Sequence, residues 1–233
     1  MANDYFQFRQ FIIRQSLCAM KVGTDGTLLG AWAHGGNRIL DIGTGTGLIA
    51  LMMAQRFPQA AVTGVDIDEM ACRQAQENVS ESPFSNIGIV MGDITHYSSL
   101  ISHHSFDAIV SNPPFFNHSL ECPDERRTQA RHTSTLTYRQ LMTVAAQLIS
   151  DEGELSVVIP AEYREQLETE AFLNGFLLRR RCAVRTTPKK PPRRYLLAFG
   201  KHSADLEEAE GVIEERPGVR SVWYQELTKD FYL

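Results

Sequence analysis

Short β-rich runs alternate with helical segments from Arg38 to Gly200, and this alternation constrains the fold more than any other feature. Seven runs predict strands, at 38–42, 61–66, 87–93, 106–111, 154–160, 176–184 and 193–200. Residue spacing and composition predict an apolar helix through Gln55 and further helices at 69–78, 138–149 and 162–174. Because strands joined by helices pair in parallel, the pattern predicts an α/β fold.

The last two predicted strands are connected differently. The segment TTPKKPP, residues 186–192, is too short to contain a crossover helix, so these strands are antiparallel. We therefore expect a seven-stranded, mostly parallel sheet with one antiparallel strand and helices on both faces. We expect a single domain whose core (38–200) lies between an N-terminal extension (1–37) and a C-terminal tail (201–233).

Composition excludes several classes of protein. With 43% hydrophobic and 22% charged residues, the chain is typical of an ordinary globular protein. Its longest wholly apolar stretch, Leu48 to Ala54, is far short of the roughly 20 residues that span a membrane. The four cysteines and seven histidines show no metal-ligand or disulfide spacing. We expect a cytoplasmic monomer with reduced thiols, no metal and no membrane segment.

A glycine-rich turn follows the first predicted strand of the core. The run RILDIGTGTGL contains, in order, Asp41, Gly43, Gly45 and Gly47. Glycines permit a sharp turn and let a ligand lie against the backbone, although such a turn can also occur without a ligand. The acidic residues Asp66 and Asp93 end the next two strands, at the sheet edge where ligands of open α/β sheets bind. They favour the interpretation as a ligand site.

The tetrapeptide Asn112-Pro113-Pro114-Phe115 follows the fourth predicted strand. Alone, N-P-P is a turn signal. Two prolines stiffen the backbone, however, so Asn112 Oδ1 and the Pro113 carbonyl can be fixed acceptors beside the aromatic ring of Phe115. Two acceptors and a stacking surface suit a planar exocyclic amine, whose developing positive charge the acceptors would stabilise.

The motifs DIGTGTG, VDID, GDI and SNPPF, in this order, resemble class I S-adenosylmethionine-dependent methyltransferases with an N-P-P-[YF] site. The run CAMKVGTDGTLLGAW at 18–32 closely resembles the bacterial tRNA1(Val) adenine N6-methyltransferase family. The similarity continues through QARHTSTL at 129–136 to the final DFYL. The N-P-P-F element alone is shared with guanine N2, cytosine N4 and glutamine N5 methyltransferases, so the N-terminal run is the more discriminating feature.

This resemblance implies a Rossmann-like class I methyltransferase fold and S-adenosylmethionine as cofactor. It implies transfer of a methyl group to N6 of the adenine 3′ of the anticodon, position 37, in tRNA1(Val). Asp66 would bind the cofactor ribose and Asp93 its adenine. The methionine end would be held by Asp41, Gly43, Gly45 and Gly47, and the site closed from the N-terminal side by Lys21, Gly23, Thr24 and Asp25. The target base would be held by Asn112, Pro113 and Phe115, and Asn112 would also contact the cofactor. Many relatives have Tyr in place of Phe115.

Two groups of basic residues are candidates for contact with the tRNA anticodon stem-loop. Residues 179–194 hold eight of the 23 positive charges, and Lys189, Lys190, Arg193 and Arg194 lie at or next to the turn of this hairpin. Alternatively, these charges solvate an exposed hairpin. A second group could clamp phosphates or pair with neighbouring acids; it comprises Arg126, Arg127 and Arg131.

Other functions remain open at the level of sequence. The same site could methylate guanine N2 in ribosomal RNA or a glutamine side chain in a protein. A protein substrate would not need the basic hairpin. A non-catalytic RNA-binding module with the same fold is a third alternative, and the intact glycine turn and N-P-P-F element argue against it.

Overall fold

The computed structural model describes residues 4–18, 20–97, 106–113 and 136–233. Its strands are β1 (Tyr5–Gln7), β2 (Ile12–Arg14), β3 (Arg38–Ile42), β4 (Ala61–Asp66), β5 (Ile87–Met91), β6 (Phe106–Ser111), β7 (Ile149–Pro160), β8 (Leu177–Arg185), β9 (Pro192–Gly200), β10 (Glu207–Val212), β11 (Glu214–Arg216) and β12 (Val219–Arg220). Its helices are α1 (Thr24–Trp32), α2 (Leu48–Arg56), α3 (Glu69–Ser80), α4 (Ile94–Tyr97), α5 (Tyr138–Leu148), α6 (Arg164–Leu173) and α7 (Val222–Thr228), with a 3₁₀ turn (Ala161–Tyr163) before α6.

The central sheet has eight strands in the order β10-β8-β9-β7-β6-β3-β4-β5. Strand β9 is antiparallel to both of its neighbours, and the other pairs in this sheet are parallel. The predicted mostly parallel sheet with one antiparallel strand is confirmed. The predicted number of seven strands is wrong, because β10 comes from the segment interpreted as a tail and adds an eighth.

Strand β10 escaped prediction because its sequence, EEAEGV, lacks the apolar alternation of a half-buried strand. It lies at the sheet edge and pairs in parallel with β8. Its carboxylates meet arginines of that neighbour, since Arg181 pairs with Glu208 and Arg185 pairs with Glu210 at 3.1 Å. Backbone pairing and these ion pairs therefore place an acidic segment beside the basic one.

Helices cover both faces of the sheet. On β3, Leu40 and Ile42 pack into a cluster with α5 and α6, while Ile39 packs on the opposite face with α1 and α2. Burial on both faces explains why the parallel strands are continuous apolar runs in the sequence. Among the helices that the structure describes, none is long and apolar enough to cross a membrane.

The N-terminal hairpin and the C-terminal segment pack on each other. Phe8, Phe11 and Ile13 lie in or next to the β1–β2 hairpin and share a buried cluster with Phe231. The backbone N–H of Arg9 donates to the carbonyl of Phe231 at 2.9 Å. This contact holds the N-terminal hairpin in place. The segment that follows the hairpin reaches the edge of the sheet that carries the candidate site.

A nearly buried ion pair ties β7 to β8. The guanidinium of Arg180 binds both carboxylate oxygens of Glu154, with Nε 3.1 Å from Oε2, and the two side chains are 10% and 12% exposed. The same guanidinium lies 4.0 Å from the ring centroid of Trp32 on α1. This arginine therefore serves the packing of the sheet against α1.

Replacing Glu154 with glutamine should lower the free energy of unfolding by about 3 kcal/mol, because Arg180 would keep a buried charge without its partner. Glu208→Gln is the matched control, since Glu208 is 60% exposed in its pair with Arg181. That variant should lose about 1 kcal/mol or less. Urea unfolding at neutral pH measures both, and equal losses would contradict the structural role of the Glu154–Arg180 pair.

Candidate active site

The register of three parallel strands brings the sequence motifs together. Ile42 of β3 lies opposite Val65 of β4 on one side and Ser111 of β6 on the other. The next residues along these strands are Gly43, Asp66 and Asn112. The glycine turn, the acidic residue and the asparagine therefore lie side by side at the carboxyl edge of the sheet.

The glycine turn is held by its own backbone and by β4. The N–H groups of Gly43 and Thr44 donate to the carbonyl of Val65 at 2.9 and 3.0 Å. Gly43 and Gly45 have φ values of 73° and 55°, a region that side-chain-bearing residues rarely adopt. A Cβ at either position would meet nothing within 4 Å, so the space beside the turn is open.

Asp41 lies behind this turn and is fully buried. Its Oδ2 accepts hydrogen bonds from the Thr44 hydroxyl at 2.7 Å and from the Ala50 N–H at 3.1 Å. Burial raises the pKa of the Asp41 carboxyl to about 7, although these hydrogen bonds act in the opposite direction. In the structure, Asp41 thus links the turn to the start of α2.

Asp66 and Asp93 each hold the turn that follows their strand. Asp66 accepts a hydrogen bond from the Gly45 N–H at 2.8 Å and another from Asp68. Asp93 accepts from the N–H and the hydroxyl of Thr95 at 2.9 and 2.7 Å. Partial burial raises the pKa of Asp93, but the Thr95 hydrogen bonds and nearby His96 outweigh it and lower that pKa below its ordinary value.

A cavity of about 310 Å³ opens at this edge. It is lined by residues 20–26, by Gly43, Thr44, Thr46, Leu48 and Ile49, and by Asn112 and Arg194. The four predicted capping residues, Lys21, Gly23, Thr24 and Asp25, are among them. The structure therefore places the N-terminal segment, the glycine turn and Asn112 around one space.

Asn112 contributes an acceptor without a partner to this cavity. Its Oδ1 is buried and has no hydrogen-bond partner among the described residues. Pro113, the next residue, is buried. A buried polar atom without a partner costs free energy, so its position indicates a ligand donor. This open acceptor and the bare glycine backbone fit a cofactor and an amine substrate.

Arg194 also reaches this cavity, where it pairs with the carboxylate of Asp25 at 2.6 Å. Burial raises the pKa of Asp25, and the charges of Arg194 and Arg193 partly offset that effect. Lys189, Lys190 and Arg193 are exposed. The four basic residues predicted at the hairpin therefore lie in two different environments.

Three polar side chains that support the site were missed in the sequence. Asn78 accepts the N–H of Arg14 at 2.8 Å and donates to the carbonyl of Thr46 at 2.8 Å, so it joins β2 to the glycine turn. Gln74 accepts a hydrogen bond from the N–H of Leu17, shortly before the predicted capping residues, and Gln15 accepts one from the N–H of Val22. Gln74 and Asn78 lie one helical turn apart on the buried face of α3, and both are 1% exposed. Two polar residues at this spacing on the apolar face of a predicted helix were the signal that could have revealed them.

Some predicted residues lie outside the described ranges, namely Phe115, Arg126, Arg127 and Arg131. Their predicted roles stay predictions. Within the ranges that are described, no group of three or more His, Cys, Asp or Glu side chains could hold a metal ion.

Known proteins are similar to this chain in sequence and architecture. The family model of the methyltransferase small domain matches residues 26–186. A tRNA1(Val) (adenine(37)-N6)-methyltransferase of Bacteroides thetaiotaomicron is 45% identical over 100% of this chain and 99% of its own length. The enzyme of the same name from Phocaeicola vulgatus is 47% identical, with the same coverage of both chains.

A solved structure, of a predicted O-methyltransferase from Agrobacterium tumefaciens, has a TM-score of 0.67 and 17% identity. The match covers 89% of this chain and 96% of that chain, and it shows that the two proteins share a fold. The family resemblance in the sequence motifs is thus confirmed. By its sequence along the whole length, this chain belongs to the family of tRNA1(Val) (adenine(37)-N6)-methyltransferases, within the methyltransferase small domain family.

Proposed function

We propose that this chain transfers a methyl group from S-adenosylmethionine to the exocyclic N6 of adenine 37 in tRNA1(Val). The observation that carries the proposal is the unpartnered Oδ1 of Asn112, buried in the wall of the cavity that the glycine turn shares. The full-length relatives supply the identity of the base. A tRNA substrate is in keeping with a cytoplasmic enzyme.

S-adenosylmethionine supplies an electrophilic methyl group on a sulfonium sulfur. The chain's own residues bind the cofactor and the target base and orient them for the transfer. Asp66 presents a carboxylate next to Gly45 for the ribose hydroxyls, and Asp93 presents one at the end of β5 for the adenine. Asp41 acts behind the turn by keeping Thr44 and α2 in place.

Asn112 holds the target amine. Its Oδ1 accepts one N–H of the exocyclic amine, which orients the nitrogen and stabilises the positive charge that develops on it. Phe115 would stack on the base beside it. A base must leave its stack to enter such a cavity, and this costs least in an unpaired loop such as the anticodon loop.

The turn between β8 and β9 is the proposed RNA contact. Strand β8 runs parallel to β7, so this turn lies at the same carboxyl edge as Asn112, on the side of the sheet away from β4 and β5. Lys189, Lys190 and Arg193 are exposed there, whereas Arg181 and Arg185 are paired with glutamates of β10. Only part of the basic run is thus available to phosphates, together with the proposed contacts from Arg126, Arg127 and Arg131.

Methyl transfer from labelled S-adenosylmethionine to bulk tRNA should yield N6-methyladenosine on nucleoside analysis. The tRNA1(Val) anticodon stem-loop should be a substrate, and the same stem-loop with guanosine at position 37 should not. In parallel assays with ribosomal RNA and with protein, label in N2-methylguanosine or in glutamine would contradict the proposed substrate, although it would still support S-adenosylmethionine as the methyl donor.

Asn112→Ala should lower kcat by about 10²-fold or more, because it removes a charge-stabilising acceptor of the transition state. Affinity for the cofactor should stay nearly unchanged, as titration calorimetry can show. An unchanged unfolding midpoint serves as the control for folding. Wild-type turnover in this variant would refute the role of Asn112.

Charge reversal of Lys189, Lys190 and Arg193 to glutamate should weaken tRNA binding and reduce its salt dependence. The slope of log K against log salt falls by about 0.7–0.9 for each phosphate that the protein no longer neutralises. Arg73→Glu is the control for each of these three reversals made singly, since Arg73 is 69% exposed on α3, which packs on the opposite end of the sheet. If the control weakens binding as much, the turn is not the contact surface.

A further inference from the structure

The wall of the cavity contains one acidic and two basic side chains among the described residues, namely Asp25, Lys21 and Arg194. Asp25 stands in the first turn of α1, and Arg194 stands near the start of β9. They come from distant parts of the chain and meet at 2.6 Å, with side chains 27% and 20% exposed. The structure thus holds two opposite charges side by side in one partly desolvated place.

The sequence suggested Asp41 for the methionine end of the cofactor, and this role stays a prediction. Asp41 is fully buried behind the glycine turn and does not line the cavity. Its Oδ2 is engaged by Thr44 and Ala50, and its Oδ1 is buried without a partner among the described residues. Asp25 is therefore the one described carboxylate in the cavity wall that an ammonium group could meet.

We propose that Asp25 and Arg194 together bind the zwitterionic amino-acid end of the cofactor, with Asp25 facing its ammonium and Arg194 facing its carboxylate. The inference rests on the cofactor site of the proposed function and adds Arg194 to it. Each charge of the zwitterion then faces an opposite charge of the protein, so the four charges compensate one another as water is excluded.

The chemistry of arginine suits this assignment. A guanidinium has five N–H donors, so the contact with Asp25 leaves others for a second carboxylate, which it can bind in a forked geometry. Lys21 is exposed, and a strongly hydrated ammonium there is a weaker candidate. Arg193 is exposed while Arg194 is half-buried, as expected for neighbours on opposite faces of a strand. The structure thus separates Arg194 from the residues proposed to contact RNA.

Binding of three ligands without tRNA tests the proposal. S-adenosylhomocysteine carries both charged groups, its decarboxylated analogue keeps only the ammonium, and 5′-methylthioadenosine has neither. Arg194→Met should weaken S-adenosylhomocysteine about 10- to 100-fold, the loss expected for a charge-assisted hydrogen bond, and change the other two little. Asp25→Asn should weaken the two ligands that carry the ammonium and spare 5′-methylthioadenosine.

Matched variants separate binding from support of the fold. Arg194→Lys keeps the charge and should recover part of the affinity for S-adenosylhomocysteine. Arg73→Met, at an exposed arginine of α3 on the opposite end of the sheet, should leave all three affinities unchanged. An equal loss for all three ligands in Arg194→Met would overturn the proposal, because the pair would then only hold α1 in place.

A carboxylate-specific loss in Lys21→Met but not in Arg194→Met would also overturn it. Because no tRNA is present, these outcomes do not depend on which nucleotide is methylated. Failure of the proposed tRNA target would therefore leave this test valid.

Discussion

The parallel register of β4, β3 and β6 is the constraint on which the site depends. Because Ile42 lies opposite both Val65 and Ser111, the residues that follow these three strands reach the sheet edge at the same level. A shift of one residue in either pair would turn every side chain of that strand to the other face. Burial on both faces of the sheet makes such a shift costly, so the core itself positions the ligand site.

Support for the site comes from polar groups placed behind it. Asp41 holds the glycine turn against α2, and Asn78 joins that turn to the segment before the cap. These groups direct their hydrogen bonds to the turn and the backbone around it, and the open acceptor of Asn112 stays free for a ligand.

Several arginines of the basic run 179–194 are paired with carboxylates in the fold. The run 179–194 is strongly basic in the sequence, yet Arg180 pairs with Glu154 and two further arginines pair with β10. Arg194 turns to the cavity and meets Asp25. A charge run in a sequence shows how many cations are present, and the fold decides which of them face solvent.

Sequence periodicity and turn chemistry alone determined the alternating strands and helices, the antiparallel β9 and the motifs at the strand ends, because these are local signals. Tertiary structure alone decided that the acidic segment 207–212 becomes an eighth strand, because its pairing depends on a distant partner and not on its own alternation. It also decided that Asp41 lies behind the turn while Arg194 reaches the cavity. Those positions depend on how α1, α2 and β9 pack across the sheet, which no window of sequence contains.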